Sequence, residues 1–345
     1  MKNILRISTL LILLIFGLTA CTKESSNLND LHETLIVRHK NADMPAYIHG
    51  DASEKVFLII LHGGPGGTGL QYRNSTIKEE IEMNNAVVYF DQRGSGSAQG
   101  SYSESDVSVD LMAEDVLALV KVLQKKYGND SKFFLLGHSW GGTLGPAVLL
   151  KNQNVFSGWI DLDGDHDPKG SYVKNKVALQ NMALEQINQK NSIPFWQDVI
   201  KMVNEVSPNY NSDDLFKMNR KSHELEQTLM DDKVINKSQA GDYTPPLNVL
   251  TALWNNNKII NIFINNGFYE NISFTDELEN IKIPSLVLWG RYDVIVPFAD
   301  AQEAYDHLGS TEKELFIFEK SAHSPNDTEP ELFAEKVIEF INQYK

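Results

Sequence analysis

Ser139 stands in Gly137-His138-Ser139-Trp140-Gly141, directly behind the apolar run Phe133-Phe134-Leu135-Leu136. A serine hydroxyl is a weak nucleophile; it needs a base within reach and a position clear of its surroundings. Glycines two residues to either side allow the sharp strand-to-helix turn that presents such a hydroxyl for acyl transfer. The residues that follow, Gly142-Thr143-Leu144-Gly145-Pro146-Ala147-Val148-Leu149-Leu150, are small and then apolar, as a helix packed on a sheet requires. A bare G-x-S-x-G is often only a glycine-rich turn. The strand before it and the helix after it make Ser139 the candidate nucleophile.

Such a serine needs a base and an acid, which on this scaffold follow it in chain order. Ser285-Leu286-Val287-Leu288-Trp289, a short apolar run after Pro284, reads as a buried strand, and Asp293 falls on the loop behind it. Leu315-Phe316-Ile317-Phe318 reads as the next strand, with His323 on its trailing loop. Loops at the carboxyl ends of strands are where open α/β sheets place their sites. His323 would take the proton of Ser139, and Asp293 would fix the imidazole tautomer and stabilise the imidazolium. Among nine histidines, His307 reads as solvated on a surface helix, and His138 as pointing away from the tip of the turn. Asp300 reads as a helix-start residue. Asp163 and Asp165, behind the strand Trp159-Ile160-Asp161, are the rival acids.

Acyl transfer also needs donors for the developing oxyanion, each typically worth about 10²–10³ in rate. Leu61-His62-Gly63-Gly64-Pro65-Gly66-Gly67, behind the strand Val56-Phe57-Leu58-Ile59-Ile60, lets the backbone come close. The donors are assigned to the N–H groups of Trp140 and Gly64, with Gly63 as the alternative.

The stretches His62-Gly63-Gly64-Pro65-Gly66-Gly67, Asp91-Gln92-Arg93-Gly94-Ser95-Gly96-Ser97 and Gly137-His138-Ser139-Trp140-Gly141-Gly142 together resemble the proline iminopeptidase family of α/β-hydrolases, a resemblance running from about Leu35 to Lys345. It implies an aminopeptidase that removes N-terminal residues, often proline, with relatives acting on other amides or esters. Asp91 and Arg93, behind the strand Ala86-Val87-Val88-Tyr89-Phe90, are expected to pin loops beside the site. Members that cleave proline carry cap carboxylates for the substrate amine. No local pattern here matches them, and sixteen Asp plus Glu between Gly164 and Asn280, against eleven Lys plus Arg, offer too many candidates.

To position these groups, strands must alternate with helices in a mostly parallel sheet covered by helices on both faces. A helix is clearest over Val109–Tyr127, where Leu111, Val116, Leu119, Val120 and Leu123 recur at helical spacing. The expected organisation is a hydrolase core over residues 34–163, an inserted helical cap over 164–280, with amphipathic stretches at Val177–Ile187 and Pro194–Val206, and the rest of the core over 281–345.

The first twenty residues read as a signal: a basic start with Lys2 and Arg6, an apolar Ile7–Leu18 too short to span a bilayer comfortably, then Leu18-Thr19-Ala20-Cys21, similar to a bacterial lipoprotein cleavage box. Cys21, the single cysteine, would be the lipidated first residue, and residues 21–33 a polar tether. A lone cysteine excludes an internal disulfide. These features place the protein outside the cytoplasm on a membrane. Losing Lys2 and Arg6 takes the net charge from −15 to −17, which argues against nucleic acid. No CxxC pair, HExxH or phosphate-cradling loop is present, so neither metal nor cofactor is expected. Asp161-Leu162-Asp163-Gly164-Asp165-His166-Asp167 lacks the closing glutamate of a calcium loop. The expectation is a serine hydrolase acting on short peptides. An esterase or amidase on small acyl compounds is the first alternative, and a non-catalytic binding protein the second.

Overall fold

The computed structural model describes residues 27–345, apart from 102, 240–243, 246 and 247. Cys21 and the residues read as a signal lie outside them. An antiparallel pair opens the fold, β1 (Leu31–His39) and β2 (Ala42–Gly50), turning at Lys40 and Asn41. β3 (Val56–Leu61), β4 (Ala86–Phe90) and the two-residue β5 (Gln99–Gly100) follow. Next come α1 (Val109–Tyr127), β6 (Lys132–His138), α2 (Trp140–Asn152) and β7 (Gly158–Leu162). Among the described residues, five helices then occur in succession: α3 (Pro168–Asn188), α4 (Ile193–Glu205), α5 (Ser212–Asp231), α6 (Val249–Asn265) and α7 (Phe268–Asn271). β8 (Ser285–Gly290), α8 (Phe298–His307), β9 (Lys313–Phe318), α9 (Pro325–Thr328) and α10 (Pro330–Tyr344) complete the chain.

The strands form one sheet in the order β1-β2-β4-β3-β6-β7-β8-β9, with β5 beside β2. From β4 to β9 every neighbour is parallel. Strands such as Val56–Leu61 and Ser285–Gly290 are buried throughout, which explains their unbroken apolar sequence: both faces are covered. Alternate residues serve opposite faces. Phe57, Ile59, Phe133 and Leu135 pack with α1 and α2. Leu58, Ile60, Phe134 and Leu136 pack with Val337, Phe340 and Ile341 of α10.

α1 spans the residues its periodicity predicts. Ser108 caps it, its side chain accepting from Leu111 N–H, and Gly128 ends it at φ 124°. The inserted helices pack round Leu179, Trp196, Val199, Met218, Leu225 and Leu229, a cluster joined to the sheet side through Val294 and Ala322. α3 begins nine residues before the predicted stretch, with Pro168 in its first turn. That position suits proline's fixed φ. Its added turns carry Ser171, Tyr172 and Asn175, polar residues turned to a cavity that break the apolar period.

Candidate active site

The turn after β6 is as tight as the glycine spacing requires. Ser139 has φ 56° and ψ −118°, a conformation costing about 1–3 kcal/mol for a residue with a side chain. A Cβ on Gly137 would sit 2.3 Å from the carbonyl oxygen of Gly141, and one on Gly141 2.0 Å from that of Leu61. Ser139 is tied down through its N–H to the Leu162 carbonyl at 3.0 Å, and its own carbonyl accepts from Gly142 at 2.8 Å.

The loops after β8 and β9 bring Asp293 and His323 to this serine. His323 Nε2 lies 2.9 Å from Ser139 Oγ, and His323 Nδ1 lies 2.7 Å from Asp293 Oδ2. Asp293 Oδ1 accepts from the N–H groups of Ile295 and Val296 at 2.8 and 3.0 Å, so its ring-facing oxygen is held in place. Burial would lower the affinity of His323 for a proton. The charge and hydrogen bond of Asp293, helped by Glu226, outweigh that and hold it above the ordinary histidine value. With Nδ1–H given to Asp293, Nε2 is free to accept from the serine.

The glycine loop after β3 meets the same point. A Cβ on Gly63 would lie 3.2 Å from Ser139 Cβ. Gly63 N–H already donates to the Tyr72 hydroxyl at 2.9 Å, so of the two candidate donors in this loop Gly64 has its N–H uncommitted among the described residues. Trp140 is the first residue of α2, where an N–H has no partner within the helix. Its indole is fixed by donation to Gln92 Oε1 at 2.8 Å.

Asp91 and Arg93 do hold loops. Asp91 accepts from Thr68 Oγ1, Gly69 N–H, Ser97 N–H and Tyr47 Oη. Arg93 makes a two-pronged buried pair with Asp115, both contacts at 2.7 Å. Asp300 lies in the first turn of α8 and meets Ser171 and Lys174. His307 ends that helix, exposed. Asp161, within β7, forms an ion pair with His166 at 3.1 Å, and Asp165, behind that strand, accepts at Oδ1 from Ser171 at 2.9 Å.

Above Ser139 opens a cavity of about 410 Å³ between the sheet edge and the inserted helices. Trp140, Leu215, Phe216, Phe268 and Tyr269 supply its apolar wall. Asp165 is the acidic residue on its lining, and among the described residues that lining holds neither lysine nor arginine. Burial and the nearby Asp300 push the Asp165 carboxyl up to about 7.

A model of the alpha/beta hydrolase fold family matches residues 56–330. The chain belongs to that family. A probable aminopeptidase of Bacillus subtilis is 26% identical over 306 residues, covering 85% of this chain and 91% of its own. A proline iminopeptidase of Saccharolobus solfataricus is 27% identical over 288 residues, 83% of this chain and 84% of its own. Among solved structures, a proline iminopeptidase-related protein of Thermus thermophilus matches with a TM-score of 0.62 at 21% identity, over 91% of this chain and 98% of that one. An esterase of Exiguobacterium antarcticum matches at 0.57 and 16%, over 90% and 100%. These likenesses show the fold.

Two residues of this hydrolase escaped the sequence reading. His138 does leave the tip of the turn, but it runs beneath the site: Nε2 lies 2.7 Å from the His323 carbonyl oxygen and Nδ1 2.5 Å from the Tyr72 hydroxyl. Glu226 of α5 accepts the main-chain N–H of His323 at 3.2 Å, and burial, with repulsion from Asp293, pushes it up to about 7. Neither contact has a local signal, since the partners lie 185 and 97 residues away.

Proposed function

We propose that this hydrolase is an aminopeptidase that frees the N-terminal residue of short peptides through an acyl-enzyme on Ser139. His323 Nε2 accepts the Ser139 proton as Oγ attacks the scissile carbonyl, and Asp293 stabilises the imidazolium. The N–H groups of Trp140 and Gly64 receive the oxyanion. His323 then returns the proton to the leaving amine. In the second half it takes a proton from water, whose oxygen attacks the acyl carbonyl, and it passes that proton to Oγ as the acyl–oxygen bond breaks and Ser139 is freed.

The observation that carries the peptidase reading is the carboxyl of Asp165, the one acidic group on a cavity lining that, among the described residues, holds neither lysine nor arginine. A free N-terminal amine is cationic; bound there it would favour the ionised form of Asp165 and so find its counter-charge. The aminopeptidase and iminopeptidase relatives support the same reading. The apolar wall of Phe216, Phe268 and Tyr269 suits a proline ring, and suits the acyl group of a small ester equally. The test is a panel of proline anilides with free and acetylated amines alongside short acyl esters. The free-amine anilides should turn over best, and Asp165→Asn should raise their KM about 10- to 100-fold, the worth of a hydrogen bond to a charged group, while sparing the esters. Esters or blocked anilides turned over best would assign an esterase or amidase instead. Failure of Ser139 to label with a fluorophosphonate would assign a binding protein.

We place the enzyme outside the cytoplasm, held to a membrane by acyl chains on Cys21. The support is the basic start, the short apolar stretch and Leu18-Thr19-Ala20-Cys21. Cys21→Ser should release active protein to the soluble fraction, and equal partition with wild type would reject the anchor.

A further inference from the structure

Asp163, weighed above as a rival acid, sits beside Asp293. The two follow adjacent parallel strands, β7 and β8, in which Leu162 pairs with Leu288. Asp163 N–H donates to the Leu288 carbonyl at 3.0 Å, and Asp163 Oδ1 accepts from Gly290 N–H at 2.8 Å. Its backbone is left-handed, φ 46°, which turns the side chain back along the end of β8. Asp163 is 0% exposed and Asp293 2%.

The second oxygen of Asp163 is buried and meets no donor among the described residues. As a carboxylate it would be a buried charge with no cationic partner, facing the like charge of Asp293, and such an arrangement is strongly disfavoured. As an acid it carries a proton in need of an acceptor. Asp293 has one to offer. Its two oxygens accept three hydrogen bonds, from Ile295, Val296 and His323, out of a capacity of about four.

We propose that Asp163 is a positioning residue, a neutral carboxylic acid whose O–H donates to Asp293 and holds that carboxylate towards His323. The titratable groups facing the pair are Asp161 of β7, which is paired with His166, then Tyr72, His323, and His223 and Glu226 of α5; burial, and then His323, push His223 below the ordinary histidine value, so it brings no lasting positive charge. Tyr72 and Glu226 bring no positive charge, and the imidazole of His323 is already engaged by Asp293. Burial and the neighbouring Asp293 push Asp163 far above the ordinary carboxylate range, in keeping with the geometry. Asp293 thereby remains the single ionised carboxylate of the pair. The O–H of Asp163 fixes it without adding charge.

This role rests on the assignment of Asp293 to the triad, so its primary test does not use activity. The infrared difference spectrum of the full chain at pH 7, wild type minus Asp163→Asn, should show the C=O band of a protonated carboxylic acid. A carboxylate band in its place would overturn the proposal. Asparagine tolerates a left-handed backbone as aspartate does and keeps both the Oδ1 acceptor and a donor towards Asp293. The acid limb of kcat/KM in Asp163→Asn should therefore stay within about half a pH unit of wild type. Loss of a real negative charge would instead move it down by about 1–3 units, and that result would overturn the proposal. Asp163→Ala, lacking the donor, should lose about 10-fold in kcat, with Asn restoring it; equal losses in both variants would refute the donor role. If the alanine variant does not fold, the two asparagine measurements decide.

Discussion

The imidazole of His138 donates from Nε2 to the main-chain carbonyl of His323 and accepts the Tyr72 hydroxyl at Nδ1, at 2.7 and 2.5 Å. Burial, and then the neighbouring His323, push His138 down to about 3, so it stays neutral and its tautomer is fixed by these two partners. The residue before Ser139 thus holds the backbone of His323, the proposed base. Through the hydroxyl of Tyr72 it also reaches Gly63 N–H, next to Gly64, the proposed oxyanion donor.

His138→Phe keeps the volume and removes both hydrogen bonds. We expect kcat to fall about 10- to 100-fold, the scale on which small misplacements of a reacting group act, with KM nearly unchanged. Steady-state kinetics on an activated ester or anilide reads this out, and an unaltered kcat would show that the His323 loop holds itself.

Ser139→Ala should lower kcat by about 10⁶, as loss of a triad nucleophile does, and should abolish fluorophosphonate labelling. Thermal unfolding should be unchanged or slightly improved in Ser139→Gly, where the positive φ carries no penalty. Undiminished hydrolysis by purified Ser139→Ala would remove the serine from the mechanism.

Asp293→Asn should cut kcat by about 10⁴. His323 is raised above its ordinary value by Asp293 against the opposing effect of burial. The working form is the neutral imidazole, so kcat/KM of wild type should fall as pH drops through this raised value. Without the Asp293 charge the limb should move to lower pH. If Asp163→Asn is the crippled variant and Asp293→Asn is not, the acid belongs to the loop after β7.

Glu226 offers a test of stability against pH. Burial, with Asp293 repulsion, raises it to about 7 in the folded chain, against about 4.3 when unfolded. A carboxyl raised by folding binds its proton more tightly in the native state. Its stabilising contribution is therefore complete below about 4.3 and lost as pH rises through about 7. Glu226→Gln removes that loss, so the difference in Tm between variant and wild type should grow in the variant's favour from pH 5 to pH 8. A difference that shrinks over this range would contradict the assignment.

The sequence made much of this legible because buried parallel strands write themselves as unbroken apolar runs, and reactive residues sit just behind them. Val109–Tyr127 and Ala86–Phe90 are helix and strand over the residues their patterns indicate. The β1–β2 pair was not legible. β2 carries Pro45 and polar residues among its buried ones, and it belongs to the antiparallel margin of the sheet, where neither alternation nor an apolar run is clean. The beginning of α3 was hidden by the polar residues it turns to the cavity. The partnerships of His138 with Tyr72 and of Asp163 with Asp293 join residues 66 or more positions apart, and a single sequence carries no local mark of them.

The pairing of Leu31 with Gly50, and of Gly50 with Ala86 at the start of β4, sets which way the catalytic mouth faces. Leu31 lies at the end of the sheet where the parallel strands begin; Ser139, Asp293 and His323 lie where they finish. The ten residues from Cys21 to Asp30 reach at most about 35 Å. On the proposed anchoring at Cys21, this tether would therefore join the bilayer to the base of the sheet, the end opposite the mouth that holds Ser139.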